Sequence, residues 1–102
     1  MLVLSGTFKV VEGAQATLIA MAKDLLPLSR SEAGCIRYDF FQDPIDPQRF
    51  LFFELWRTRE DLRAHFEKPY FKKFAERLPA LIVEDAEIVT YETSGATPAF
   101  QK

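Results

Sequence analysis

The stretch Cys35–Gln42 (CIRYDFFQ), the break 43–48 (DPIDPQ) and the run 49–57 (RFLFFELWR) decide the fold of this chain. Both flanks are rich in aromatic and branched residues that favour strands. Pro44 and Pro47 cannot sit inside a paired central strand, so the break reads as a turn and the whole as a hairpin. Downstream, Thr58-Arg59-Glu60-Asp61 has the form of a helix start. Thr58 is a suitable N-cap, and Asp61 holds the capping-box position three residues on. Leu62, His65 and Phe66 continue a helical face. Pro69 breaks it, and a further helical stretch is expected over 70–82, with Phe71, Phe74, Ala75 and Leu78 on one side. Residues 86–93 (AEIVTYET) read as a last strand.

Upstream of the hairpin, residues 29–34 form a connection punctuated by Gly34. Before it, from Ala14, Leu18, Met21, Ala22, Leu25 and Leu28 recur at helical spacing, and Pro27 is expected to kink or end that helix. Residues 2–10 read as the first strand. The order is βαββαβ, which predicts an α+β, ferredoxin-like fold: a four-stranded antiparallel sheet with the helices on one face. A chain of 102 residues is one domain, taken here as 1–93, followed by a Ser/Gly/Ala/Thr/Pro-rich tail, 94–102.

A sheet covered on one side should alternate apolar and polar residues. The run 49–57 does not: Phe50, Phe52, Glu54 and Trp56 point one way, and Leu51, Phe53 and Leu55 the other. In the preceding strand, Ile36, Tyr38 and Phe40 are expected on one face, with Cys35 and Phe41 opposite. Helices can cover one apolar face. The other predicts a homodimer through Leu51, Phe53 and Leu55, each large side chain contributing about 1.5–3 kcal/mol when buried.

Composition removes several function classes. The net charge is −2 with both signs scattered, which offers no surface for nucleic acid or an anionic membrane. The single cysteine, Cys35, allows neither an intrachain disulfide nor a thiolate metal cluster. No run is long and apolar enough to span a bilayer, and the N-terminal residues lack the form of a signal peptide. The expected location is the reducing cytoplasm. The glycines are isolated, so no phosphate-binding loop is present, and one histidine offers no pair of imidazole metal ligands.

Residues 32–38 (EAGCIRY) resemble the E-x-G-C-x-x-Y signature of the antibiotic biosynthesis monooxygenase family. Phe53-Glu54-Leu55-Trp56, followed by Glu60-Asp61-Leu62 and His65, resembles its E-x-W…L-x-x-H pattern. The resemblance runs over roughly residues 2–92. It implies a dimeric α+β barrel, in which two sheets pack face to face with the helices outside. It also implies a pocket between sheet and helices where a phenol, anthrone or quinol is oxidised by molecular oxygen, with neither metal nor flavin. The family also holds haem-degrading enzymes and a signal-molecule isomerase, and fold alone does not choose among them. The haem-binding Asn and axial His of the first group fall at Gly6 and Ala75 here, which removes the proximal ligand.

His65 is the one side chain whose ordinary pKa lies near neutrality, so it is a candidate base for a phenol or enol. The resulting electron-rich anion could then reduce oxygen by one electron. Trp56 is a candidate pocket wall and N–H donor. Glu54, among Phe50, Phe52 and Trp56, must either be paired, with Arg37, Arg49 or a group on a dimer partner, or carry a raised pKa that would make it a second base. Tyr38, Phe52, Tyr70, Phe71 and Phe74 are candidate substrate-lining residues, and Cys35 is expected to be a buried, inert thiol. Each of these positions also has a plain core reading. The expected activity is cofactor-independent oxygenation of a small aromatic substrate. The alternatives are a non-catalytic dimeric binding domain and an oxygen-independent isomerase.

Overall fold

The computed structural model describes residues 1–100; the last two residues of the expected tail lie outside the described residues. Strand β1 (Leu2–Lys9) leads into helix α1 (Gln15–Arg30), the hairpin β2 (Cys35–Gln42) and β3 (Arg49–Trp56), helices α2 (Arg59–Phe66) and α3 (Pro69–Arg77), and strand β4 (Glu87–Glu92). The strands lie in the order β2-β3-β1-β4, and every neighbouring pair is antiparallel. This is the ferredoxin-like α+β fold. No helix among the described residues is long and apolar enough to cross a membrane.

Local chemistry sets the boundaries. Gly13 takes φ +91° at the turn into α1, a conformation other residues rarely adopt. In the hairpin turn, Asp43 Oδ1 accepts from the backbone N–H groups of Ile45 and Asp46, at 2.8 and 3.2 Å. Thr58 caps α2: Asp61 N donates to its Oγ1 at 3.1 Å, and that hydroxyl donates to Asp61 Oδ2 at 2.9 Å. Gly34 lies against this cap. A Cβ there would overlap the Asp61 side chain, so the close approach of β2 to the start of α2 requires glycine.

Three expectations change. Helix α1 runs through Pro27 to Arg30 instead of ending. Pro27 and Lys23 are both exposed, so the Lys23 carbonyl that loses its helical donor can turn to water. The expected helix over 70–82 is shorter: α3 stops at Arg77, and residues Leu78–Leu81 form a single 3-10 turn around Pro79. Ile82 then bridges to Val10. In β2, Cys35 pairs with Trp56 and Arg37 with Leu55, which leaves Ile36 as a bulge residue. The bulge reverses the expected faces at that end. Cys35 packs against the core, while Ile36 is 46% exposed.

The helix-covered face carries Leu2, Leu4, Phe8, Tyr38, Phe50, Phe52, Glu54 and Trp56, all buried, against Leu18, Met21, Ala22 and Leu25 of α1. The guanidinium of Arg30, at the end of α1, donates from Nε to the Tyr38 carbonyl at 2.9 Å and ties that helix to β2. The opposite face carries Val3, Phe41, Leu51, Phe53, Leu55, Val89 and Tyr91 in register. No segment covers it among the described residues, and Phe41 and Tyr91 are 50% and 57% exposed.

Candidate active site

Between the sheet and α2, α3 and the 3-10 turn lies a cavity of about 530 Å³. Its walls are apolar, with Phe8, Phe52, Phe66, Phe71 and Phe74 prominent, and among the described residues Tyr38 and Glu54 are the only lining residues with polar side chains. Gly6, on β1, leaves room in the floor; a Cβ there would make only ordinary contacts with Leu4, Phe52 and Ile88. Ile88 of β4 also lines the cavity and is 61% exposed, which places the mouth at the β4 end.

Glu54 is the chemical centre of this wall. Strand alternation puts its carboxyl on the helix-covered face, where it is 4% exposed. No cation meets it. Arg37 points to the opposite face, where it pairs with Asp39 and lies over the Phe53 ring at 4.8 Å, so the expected ion pair is corrected. The partner Glu54 does have is Trp56, whose indole N–H donates to its Oε1 at 3.0 Å. Burial raises the Glu54 pKa from 4.5 to about 7, with the hydrogen bond from Trp56 opposing the rise. A carboxyl poised near neutrality in an apolar wall can take or return a proton at physiological pH.

Trp56 and His65 do not line the cavity. Both are fully buried, and their rings pack at 4.8 Å between centroids. The expectation of Trp56 as a pocket wall is therefore corrected: it stands behind Glu54 and orients it. The expectation of His65 as a base facing substrate is corrected as well. The i, i+3, i+4 pattern places His65 on an inward face of α2, but Tyr38 fills the space between its ring and the cavity.

His65 is held at both nitrogens. Nδ1 lies 2.7 Å from Glu32 Oε2, and Nε2 lies 3.2 Å from the Tyr38 hydroxyl. A carboxylate only accepts, so Nδ1 carries the proton and Nε2 accepts from Tyr38. Burial lowers the His65 pKa, against the pull of Glu32 and with a contribution from Lys68, which favours the neutral ring. Tyr70 also lies outside the cavity, contrary to expectation; its hydroxyl donates to the same Glu32 Oε2 at 2.6 Å. Of the eight expected site residues, the structure brings Glu54, Tyr38, Phe52, Phe71 and Phe74 together on the cavity wall. Trp56, His65 and Tyr70 stand behind it.

Sequence reasoning gives Glu32 no role beyond its place in the E-x-G-C run. It lies 33 residues from His65, so nothing local signals the pairing. Nor does the sequence single out Phe8 and Phe66 as lining residues. Cys35 is half-buried, and burial with the nearby charge of Glu54 pushes its thiol up to about 11. Gly6 and Ala75 both line the cavity and offer no ligand atom, while both nitrogens of His65 are engaged. The site therefore does not fit an axially ligated haem.

Comparison with known proteins agrees with this architecture. The family model for antibiotic biosynthesis monooxygenase matches residues 1–77. An uncharacterised protein of Synechocystis, sll1783, is 42% identical over 91 residues, which are 89% of this chain. The matched part is 62% of that curated relative's length. Among solved structures, PA3566 from Pseudomonas aeruginosa superposes with TM-score 0.83 at 30% identity, covering 92% of this chain and 94% of that one. A protein from Deinococcus radiodurans reaches TM-score 0.90 at 24% identity, covering 99% and 100%, and shares the fold. The family match spans β1 to the end of α3, the segment that supplies Tyr38, Glu54, His65 and most of the cavity wall, and this chain belongs to the antibiotic biosynthesis monooxygenase family.

Proposed function

We propose that the chain is a cofactor-independent monooxygenase for a small aromatic phenol, quinol or polyketide-like substrate, with Glu54 as the group that takes the substrate proton. One observation carries this reading: an apolar cavity of about 530 Å³ whose only polar side chains among the described residues are a tyrosine and a carboxyl held near neutral pKa. A flat aromatic ring fits such walls, and a single acidic O–H or C–H would face Glu54. Removal of that proton leaves an electron-rich anion. The anion transfers one electron to dioxygen, and recombination forms a C–O bond. For a substrate methylene the balance is one methylene and one dioxygen giving one carbonyl and one water, so the substrate supplies all four electrons. The phenylalanine walls exclude water, which strengthens the dipoles around the anion and protects the intermediates.

The test is oxygen uptake by metal-stripped protein with reduced naphthoquinols, anthrones and catechols. The expected result is enzyme-dependent uptake that survives chelation and falls by about a hundredfold or more in Glu54→Gln. Uptake no faster than autoxidation across the panel would overturn the oxygenase reading, and uptake unchanged in Glu54→Gln would remove Glu54 from it.

The uncovered sheet face supports a second element of the proposal. Leu51, Phe53 and Leu55, with Val3, Phe41 and Tyr91 around them, form an apolar surface that a second copy of the chain would bury. Sedimentation velocity should give a dimer, and Phe53→Glu should give monomers. A monomeric parent chain at micromolar concentration would refute this interface. The unpaired Cys35 suits a reducing compartment, and we assign the protein to the cytoplasm on that ground.

A further inference from the structure

We propose that Tyr38, His65 and Glu32 form a proton relay that connects the cavity to the protein surface. Tyr38 lines the cavity wall and pairs with Glu54 across the hairpin. Behind it, the hydroxyl meets His65 Nε2 at 3.2 Å, and His65 Nδ1 meets Glu32 Oε2 at 2.7 Å. The first two side chains are 2% and 0% exposed, so water cannot enter between them. The Glu32 side chain is 8% exposed, which makes it the first member of the series that reaches solvent. Tyr70 anchors the same carboxylate oxygen from α3 at 2.6 Å. Each member can both accept and release a proton, and they follow one another without a gap. A purely structural histidine needs one good partner to fix its ring; this one is held between two groups that themselves carry exchangeable protons.

The series gives the Glu54 chemistry proposed above an outlet. A proton taken by Glu54 passes to the Tyr38 oxygen as the Tyr38 proton moves to His65 Nε2. The Nδ1 proton then moves to Glu32, and Glu32 releases it to water. Every residue ends in its starting charge state, with the His65 ring left as the other neutral tautomer; the reverse sweep resets it by returning one proton from water through Glu54 to the cavity, where the reduction of dioxygen to water consumes it. Glu54 is thereby returned to the carboxylate without opening the dry cavity.

The relay can be read without a substrate. His65 is the only histidine, so the low-field Nδ1 proton has one assignment, and the Tyr38 hydroxyl proton can be identified by its coupling to Nε2 of the same ring. We would measure exchange of both protons with water by saturation-transfer NMR in the parent protein and in Glu32→Gln and Tyr38→Phe. Glutamine keeps an oxygen that accepts from Nδ1 but cannot carry the proton onward. The relay predicts that both protons exchange about a hundredfold more slowly in Glu32→Gln, the lower end of what a positioned proton-transfer group contributes. It also predicts that the Nδ1 proton keeps its rate in Tyr38→Phe. Exchange unchanged or faster in Glu32→Gln would assign Glu32 a structural role only and overturn the relay. Slowing of the Nδ1 proton in Tyr38→Phe would mean that protons enter from the cavity side, which overturns it too. Loss of oxygenase activity across every substrate would refute the function proposed above and leave these exchange rates untouched.

Discussion

Two buried carboxyl groups lie on either side of Tyr38, and the protein treats them in opposite ways. Glu54 sits on a strand among aromatic rings and receives one neutral donor, the Trp56 indole. Burial wins there, and its pKa rises to about 7. Glu32 sits in the α1–β2 connection, near solvent, and receives two donors on one oxygen, from His65 and Tyr70. The residue type is the same. The number of donors and the access of water decide whether the carboxyl waits to be charged or serves as an anchor for other groups.

Neutralising each carboxyl in turn separates their roles. The folded pKa of Glu54 lies above its unfolded value, so the folded state binds the extra proton. Its stabilising contribution is complete below pH about 4.5 and is lost as pH rises to about 7. Glu54→Gln removes that loss. Above pH 7 the variant should be more stable than the parent by up to about 3 kcal/mol, with the difference vanishing near pH 4.5. Urea melts at pH about 4.5 and about 8 measure this, and equal stability at both would show that the buried carboxyl carries no penalty.

Glu32→Ala should do the reverse. It leaves the His65 Nδ1–H and the Tyr70 hydroxyl without their acceptor, and should cost about 2–3 kcal/mol at pH 7. A melt unchanged within error would show that water substitutes for the carboxylate. A smaller effect tests which donor matters. Tyr70→Phe removes only the donor nearer solvent and should cost about 1 kcal/mol, with the histidine NMR signature retained. If the His65 Nδ1 proton signal disappears in that variant, Tyr70 and not His65 is the principal holder of Glu32. The smallest effect belongs to Cys35, which lies across the hairpin from Trp56 and close to both carboxyls. Its thiol, pushed up to about 11, should alkylate much more slowly at pH 8 than a free cysteine, and Glu54→Gln should speed it modestly by removing one negative neighbour.

Most of the fold is legible in the sequence because its signals are local. The prolines of 43–48 mark the hairpin, Thr58 and Asp61 mark the start of α2, and helical spacing marks the buried side of α1. The failures are also local in origin but tertiary in cause. Pro27 stays inside α1 because that side of the helix faces water, and Ile36 bulges out so that Cys35 can face the core. The candidate site divides differently. Alternation along β3 puts Glu54, Phe52 and Trp56 on one face, but it cannot say that Trp56 lies behind Glu54 instead of beside a substrate.

The order of elements, the two-faced apolar hairpin and the short supply of titratable groups (one histidine, one cysteine and a carboxyl trapped among rings) are written in the residues alone. Those follow from periodicity, turn chemistry and composition, each of which acts within a few residues. That Tyr38 stands between His65 and the cavity, and that Glu32, 33 residues away, holds that histidine, emerges when the elements pack. Such pairings arise where separate elements meet, and a strand's period or a helix's face sets direction without setting the partner.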